Sequence, residues 1–279
     1  MALIDTNTDK KLRLGLSIGF RGTLLETCLS TSYPTFQTEI PLIHPYVCSS
    51  LSLEDKLATL EYCHSTNTHI YCHLSGYYDL ARNDNMSKRT VTAVQREVDN
   101  LMGIPAAGII HIGRALHNGT LESISQKLNN LKLDYPRINP DMPYPLLIEN
   151  AAGQKNEFGW TFDQIRKIYE GLDKKNVGLC IDTQHAYGAG MIDFSNVEHI
   201  NSFFDEFTPN LFHLNDSKKL WGSRVDRHEN IGCGYIFGKD ITGLKHLLSI
   251  CIEKQIDLVL ETPYPGQVID AYNLHNLFK

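Results

Sequence analysis

Residues 213 to 234, HLNDSKKLWGSRVDRHENIGCG, bring His213, Asp216, Asp226 and His228 into one short span threaded with Lys218, Lys219, Arg224 and Arg227. Such a span either neutralises itself or holds a metal. Elsewhere, ionisable side chains sit at or just beyond the end of an apolar run: His73, His111, Glu149, Asp182, His213 and Glu261, with His185 in the loop that follows Asp182. Together with Asp226 and His228 these make five histidines and four carboxylates, more than a simple acid–base pair requires. Crowded carboxylates repel one another unless protonated or neutralised by cations, and a cluster of divalent metals is the economical neutraliser. Imidazole and carboxylate without thiolate suit zinc or manganese, and catalytic sites of that kind leave a coordination position for water.

Taken singly, each of these residues has a plainer reading. A strand-end histidine such as His111 is more often a hydrogen-bonded structural residue, Asp182 could cap a loop, and Asp226 could pair with Arg224 or Arg227. His64, His69, His117, His199, His246 and His275 keep that structural reading. Among them His69 is the rival ligand, because it precedes His73 by an even number of residues and could share its face of a strand. Asp216 is read as a residue that orients its neighbours. Nine such residues at successive strand ends are hard to place by chance.

Residues this far apart meet only if the fold gathers the ends of their strands. Eight apolar, β-branched segments read as strands: LRLGLSIG, PTFQTEI, THIYCHLS, AAGIIHIG, PLLIEN, VGLCIDT, LFHLND and DLVLETP. Helix-period segments lie between most of them, and Thr161-x-x-Gln164 and Ser195-x-x-Glu198 have the capping-box spacing. Near-continuous apolar strands alternating with amphipathic helices imply an α/β fold, a (β/α)8 TIM barrel in a single domain over residues 12–279 after a polar N-terminal extension, 1–11. A doubly wound open sheet is the alternative. In a barrel all the listed strand ends open on one face, the face where catalytic loops lie.

Composition narrows the partners. No stretch reaches the roughly 18 apolar residues of a membrane span, and the N-terminus has no leader pattern, so an intracellular protein without membrane contact is expected. Seven cysteines without a C-x-x-C pair, mostly within apolar segments, read as reduced core thiols rather than a thiolate zinc site. A formal charge of −6 argues against general coating of nucleic acid, so any contact with DNA needs another positive source.

The motifs LLIENAAGQ, VGLCIDTQHAYGAG, HLNDSK, GSRVDRHENIGCG and LVLETP closely resemble, in order and spacing, those of the endonuclease IV family. The resemblance runs from about residue 12 to residue 265 and is strongest from residue 145 onward. It implies a zinc-dependent DNA-repair apurinic/apyrimidinic endonuclease, acting as a monomer on double-stranded DNA. The enzyme would hydrolyse the phosphodiester 5′ of an abasic site to leave a 3′-hydroxyl and a 5′-deoxyribose phosphate, and would also remove 3′ blocking groups. It further implies three Zn2+ per chain, with Mn2+ possible at part of the site. Glu149 would bridge two metals, and Glu149 and Glu261 would be catalytic. His73 and His111 would complete the first site, Asp182, His213 and Glu261 the second, and His185, Asp226 and His228 the third.

Arg114, Lys155, Lys218, Arg224 and Arg227 are candidate phosphate contacts on the same face, and Tyr77 and Tyr78 candidate wedges where a base is missing. The chain departs from the family pattern at Gln184, where Cys is common, at Ser17, where the first strand usually carries His, and in the loop QTEIPLIHP. Two other readings stay open: a metal-dependent sugar isomerase or epimerase, and an abasic-DNA binding protein without turnover.

Overall fold

The computed structural model describes residues 10–19, 22–30, 37–41, 51–116, 118–134, 142–173, 176–238 and 240–277. Its elements run β1 (Leu14–Ser17), α1 (Leu24–Leu29), β2 (Gln37–Pro41), α2 (Leu53–Thr66), β3 (His69–His73), α3 (Ser87–Asn100), β4 (Ala106–His111), α4 (Leu121–Asn129) and β5 (Leu146–Glu149). They continue with α5 (Phe162–Glu170), β6 (Val177–Asp182), α6 (Thr183–Ala189), α7 (Val197–Glu206), β7 (Leu211–His213), β8 (Asp216–Ser217), β9 (His228–Glu229), α8 (Thr242–Lys254), β10 (Asp257–Leu260) and α9 (Gly266–Asn276). β1 to β7 and β10 pair in parallel, and β1 closes onto β10, so the eight form the expected barrel and not an open sheet. β8 and β9 make a separate antiparallel hairpin on the loop after β7. Most of the extension at 1–11 lies outside the described residues, as do His117 and the LIHP end of QTEIPLIHP, whose first five residues are not loop but β2. No helix among the described residues is long and apolar enough to cross a membrane.

Strand alternation decides where the chemistry points. Along β5, Leu146 and Ile148 join the apolar shell that the helices cover, whereas Leu147 joins the barrel interior. Glu149, two residues after Leu147, therefore faces the barrel axis. The same parity holds for Tyr71 and His73, Ile109 and His111, Cys180 and Asp182, Leu211 and His213, and Val259 and Glu261, the first of each pair belonging to the interior cluster. A thin apolar plug thus fills the barrel, and ionisable side chains stand on top of it.

The two helix starts with capping-box spacing are held by local side chains. Thr161 caps α5, its hydroxyl accepting from Gln164 N at 3.2 Å, while Gln164 Oε1 accepts from Gly159 N and Trp160 N instead of returning to Thr161. The expected box at Ser195 is displaced by one residue. Asn196 is the cap of α7, accepting from both Glu198 N and His199 N, and Ser195 Oγ instead donates to Asp193 Oδ1 at 2.6 Å. One amide oxygen that reaches two orphan N–H groups competes well with a hydroxyl already engaged in a turn. Of the described cysteines, Cys28, Cys63, Cys72, Cys180 and Cys251 are buried free thiols, and Cys233 is exposed.

The opposite end of the barrel is closed by charge. Asp257 accepts from Tyr71 Oη at 2.7 Å, lies 2.7 Å from His69 Nδ1 and pairs with Arg13 Nε at 3.0 Å. His69 has the parity of His73 but begins β3 where His73 ends it, about 13 Å away at the usual rise per residue. It belongs to this floor and is no rival for the upper face. Asp257→Ala would leave a mostly buried guanidinium and a buried phenol facing an empty site, so unfolding free energy should fall by about 3–5 kcal/mol in urea titration. A loss below about 1 kcal/mol would mean that water replaces the carboxylate without cost.

Candidate metal centre

Glu149 is fully buried at the base of the upper cup, and four imidazoles converge on it. Its Oε2 lies 3.2 Å from His73 Nε2 and 3.5 Å from His111 Nδ1, and its Oε1 lies 3.0 Å from His213 Nδ1 and 3.3 Å from His185 Nδ1. His213 Nδ1 is also 3.1 Å from Glu261 Oε2. On the other side, His228 Nε2 stands 3.6 Å from Asp182 Oδ2 and 3.3 Å from Asp226 Oδ1, and His185 Nε2 stands 3.5 Å from Asp226 Oδ2. The rings form an arc, His213, His73, His111, His185 and His228, with neighbouring centroids 5.0 to 6.2 Å apart.

All nine residues singled out in the sequence meet in this cup. The donor atoms of eight of them fall into three groups, each drawn within 4.8 Å: His73, His111 and Glu149; Glu149, Asp182, His213 and Glu261; and Asp182, His185 and His228. The first two match the expected sets. In the third, Asp182 stands within the tight group, and Asp226 touches both imidazoles from the rim. Glu149 Oε2 and His228 Nε2 are buried without a hydrogen-bond partner among the described residues, as ligand atoms waiting for a cation would be. The set is oxygen and nitrogen throughout, since Cys180 is committed to the apolar plug. A divalent cation of the zinc or manganese kind fits it.

Three neighbours that the sequence reading passed over hold the cup in shape. Asn150 Oδ1 accepts from Asp182 N at 2.7 Å, Asn215 Nδ2 donates to Asp182 Oδ2 at 2.7 Å, and Asn215 Oδ1 accepts from Glu261 N at 3.1 Å. Thr183 Oγ1 donates to Asn215 O at 2.6 Å. The signal was present: each follows a strand-end ligand by one or two residues, in IEN, IDT and HLN. His73 Nδ1 and His228 Nδ1 donate to Leu74 O and Glu261 O, which turns their Nε2 atoms into the cup. Asp216 is buried and accepts from the backbone N–H groups of Ser217, Gly232, Gly234, Ile236 and Phe237, so one carboxylate organises the loop after β7. His64, His199, His246 and His275 lie on the outer helices.

The charges compensate one another. Burial would raise the Glu149 carboxyl, but the imidazoles around it, His111 and His213 foremost, more than offset that and hold it well below the ordinary range. Burial likewise opposes Glu261 and Asp226, which His213 and the pair His185 and His228, respectively, keep low. For Asp182 burial wins, and its carboxyl is raised. His111 is pushed down to about 4 by burial. His185 goes the other way, well above the ordinary value, because Asp182 and hydrogen bonds to Asp226 and Glu149 outweigh burial. His228 rises to about 9, burial being outweighed by Asp182 and Asp226.

The expected DNA contacts divide. Tyr77 is 88% exposed at the tip of the loop after β3. Tyr78 is not presented to solvent in the same way: it is half-buried against the core, and its hydroxyl donates to Glu97 of α3, which removes it as a wedge. Arg224 is stacked 3.7 Å over the Trp160 ring, so its guanidinium clamps two loops together where a free phosphate contact was expected. Arg227 and Lys155 are exposed, Lys218 lies 3.8 Å from Glu229, and Arg114 lies 3.6 Å from Glu157.

Comparison with known proteins agrees with this fold. A family profile described as xylose isomerase-like TIM barrel matches residues 49–270. A probable endonuclease 4 of Carboxydothermus hydrogenoformans is 35% identical over 176 residues, 61% of this chain and 60% of the relative, so the chain spans less than two thirds of it. A probable endonuclease 4 of Cenarchaeum symbiosum is 34% identical over 202 residues, 69% of each chain. Among solved structures, endonuclease IV of Thermus thermophilus superposes with a TM-score of 0.76 at 22% identity, over 95% of this chain and 97% of that one.

The protonation pattern makes cation uptake a proton-releasing event. At pH 7 His185 and His228 carry protons that a cation must displace, whereas His111 is already neutral. Loading a divalent cation at pH 7 should therefore release protons, less as pH rises past about 9 for His228, and affinity should weaken as pH falls. Titration calorimetry in buffers of different ionisation enthalpy reads this directly. A heat that does not depend on the buffer would show that both imidazoles start neutral.

Proposed function

The chain belongs to the endonuclease IV family of xylose isomerase-like TIM barrels, and on that basis we propose that it is an apurinic/apyrimidinic endonuclease of DNA repair that holds three zinc ions in the cup. The observation that carries this reading is the convergence of eight acid and imidazole side chains into three overlapping donor groups, with Asp226 against two of the imidazoles from the rim. Glu149 belongs to two of these groups and Asp182 to two, which is how carboxylates shared between neighbouring ions are arranged. The reaction is hydrolysis of the phosphodiester 5′ of an abasic nucleotide, leaving a 3′-hydroxyl and a 5′-deoxyribose phosphate, with release of 3′ blocking groups as a second activity of the same centre. When bound, the divalent ions supply Lewis acidity, which makes water a competent nucleophile near neutral pH and offsets charge on the phosphate.

The protein's part is position and charge. Glu149 and Glu261, 3.0 and 3.1 Å from one imidazole nitrogen of His213, would fix the base of the cup against which the scissile phosphate rests. Asp226 and His228, brought by a loop, would complete the cation set from the side. Three divalent ions would also offset the formal charge of −6 and concentrate positive potential on the face that meets DNA. Arg114, Lys155, Lys218 and Arg227 rim that face as phosphate contacts, and Tyr77 is the exposed ring available where a base is missing.

A duplex carrying one tetrahydrofuran abasic analogue tests the proposal: the protein should nick it 5′ of the analogue and leave an intact duplex alone. Glu149→Gln should cut about a thousandfold more slowly in single turnover while binding the same duplex within a few fold, since the carboxylate matters in the transition state more than in docking. Arg227→Ala should flatten the slope of log affinity against log salt by about 0.9, the share of one phosphate contact. Sugar epimerisation without nicking, or tight abasic binding without nicking, would overturn the assignment.

A further inference from the structure

Gln184 stands between two candidate ligands, Asp182 and His185, and is fully buried on α6. Its Nε2 donates to Val225 O at 2.9 Å and to Ser217 Oγ at 3.4 Å. Those acceptors lie on the two legs of the loop that leaves through β8 and returns through β9. Ser217 is paired with His228 across the hairpin, and the Val225 carbonyl shares a rigid peptide plane with the N–H of Asp226. Main-chain bonds attach the tip of the same loop to the same helix, Gly222 N donating to Tyr187 O at 3.1 Å and Arg224 N to Gly188 O at 2.8 Å. Gly188 keeps the space open: a Cβ there would come within 3.2 Å of the Gln184 amide nitrogen and 3.5 Å of Val225 O. Gln184 Oε1, by contrast, is buried with no hydrogen-bond partner among the described residues, so the amide is oriented by its N–H groups alone.

We infer that Gln184 is a positioning residue for the third cation: by tying both legs of the 217–228 loop to α6, it sets Asp226 and His228 at the distance from His185 that the ion requires. The inference rests on the three-ion reading above. Cysteine, common at this place in the family that the sequence resembles, has one weak donor on a shorter side chain and cannot span both legs. In this chain the amide does so.

The test is metal binding, read apart from turnover. Chelated and dialysed protein is titrated with Zn2+, and with Co2+ as a spectroscopic probe, for the unsubstituted chain, Gln184→Met and Gln184→Glu. Methionine fills the space without an N–H, and glutamate puts an acceptor where the donor was. Both should bind the third ion about 10–100-fold more weakly and purify with two ions in place of three, while the first two affinities change by less than about threefold. Ser217→Ala removes the Gln184 acceptor, together with the hydroxyl's local bonds to Lys219, and adds nothing to the core, so it serves if the buried substitutions prevent folding; the third ion should then weaken a few fold. Three ions with unchanged affinities in folded Gln184→Met, or in Ser217→Ala where Gln184→Met does not fold, would overturn the inference. Fewer than three ions in the unsubstituted chain would instead remove the reading beneath it, and that result is visible before any variant is made.

Discussion

A carboxylate that never meets bulk water must be neutralised where it stands, and Glu149 sets that requirement for the whole upper half of the molecule. Ionised and fully buried, it carries a desolvation cost of several kcal/mol unless opposite charge surrounds it. Four imidazoles reach it from β3, β4, α6 and β7, four separate stretches of chain. The barrel is what makes this possible, because parallel strands end together and their inward positions share one axis. Asp182, Asp226 and Glu261 add the same requirement further out, and His228 answers it together with His185 and His213. Without cations the cup is an ion cluster in which His185 and His228 hold protons that a bound cation would displace.

The supports of this cluster are neutral and short. Asn150, Thr183 and Asn215 hold Asp182 and Glu261 by amide and hydroxyl bonds without adding charge to a site already crowded with it. The long loop after β7 solves a different problem, since two of its residues must reach the cup from a segment with little regular structure. Asp216 gathers the backbone N–H groups at its far end, and α6 holds its middle through Gln184 and the carbonyl groups of Tyr187 and Gly188. A loop held at its middle and far end keeps Asp226 and His228 beside the cup.

Much of this was written in the sequence, because strand ends carry a strong signal. A run such as PLLIEN or VGLCIDT states both the strand and the residue at its mouth, and the barrel follows from the repetition. Other features depend on contacts that no local pattern encodes. His69 has the parity of a ligand and the position of a floor residue, a distinction set by strand length and not by residue type. Tyr78 and Arg224 read as free side chains in the sequence, and in the fold Glu97 and Trp160 stand beside them. The cap of α7 moved one residue because Asp193 had already engaged the Ser195 hydroxyl. α6 is only seven residues long and β8 and β9 two each, too short for periodicity to reveal.

The floor built from Arg13, His69, Tyr71 and Asp257 has a bearing on traffic. With an ion-paired lid below and an apolar plug above it, the barrel is a vessel open at one end. Cations, substrate and product of the proposed reaction would use that one mouth, because among the described residues the floor and the plug close the axis. Any large ligand seated across the rim would therefore seal the contents beneath it, and exchange with solvent would wait for that ligand to leave.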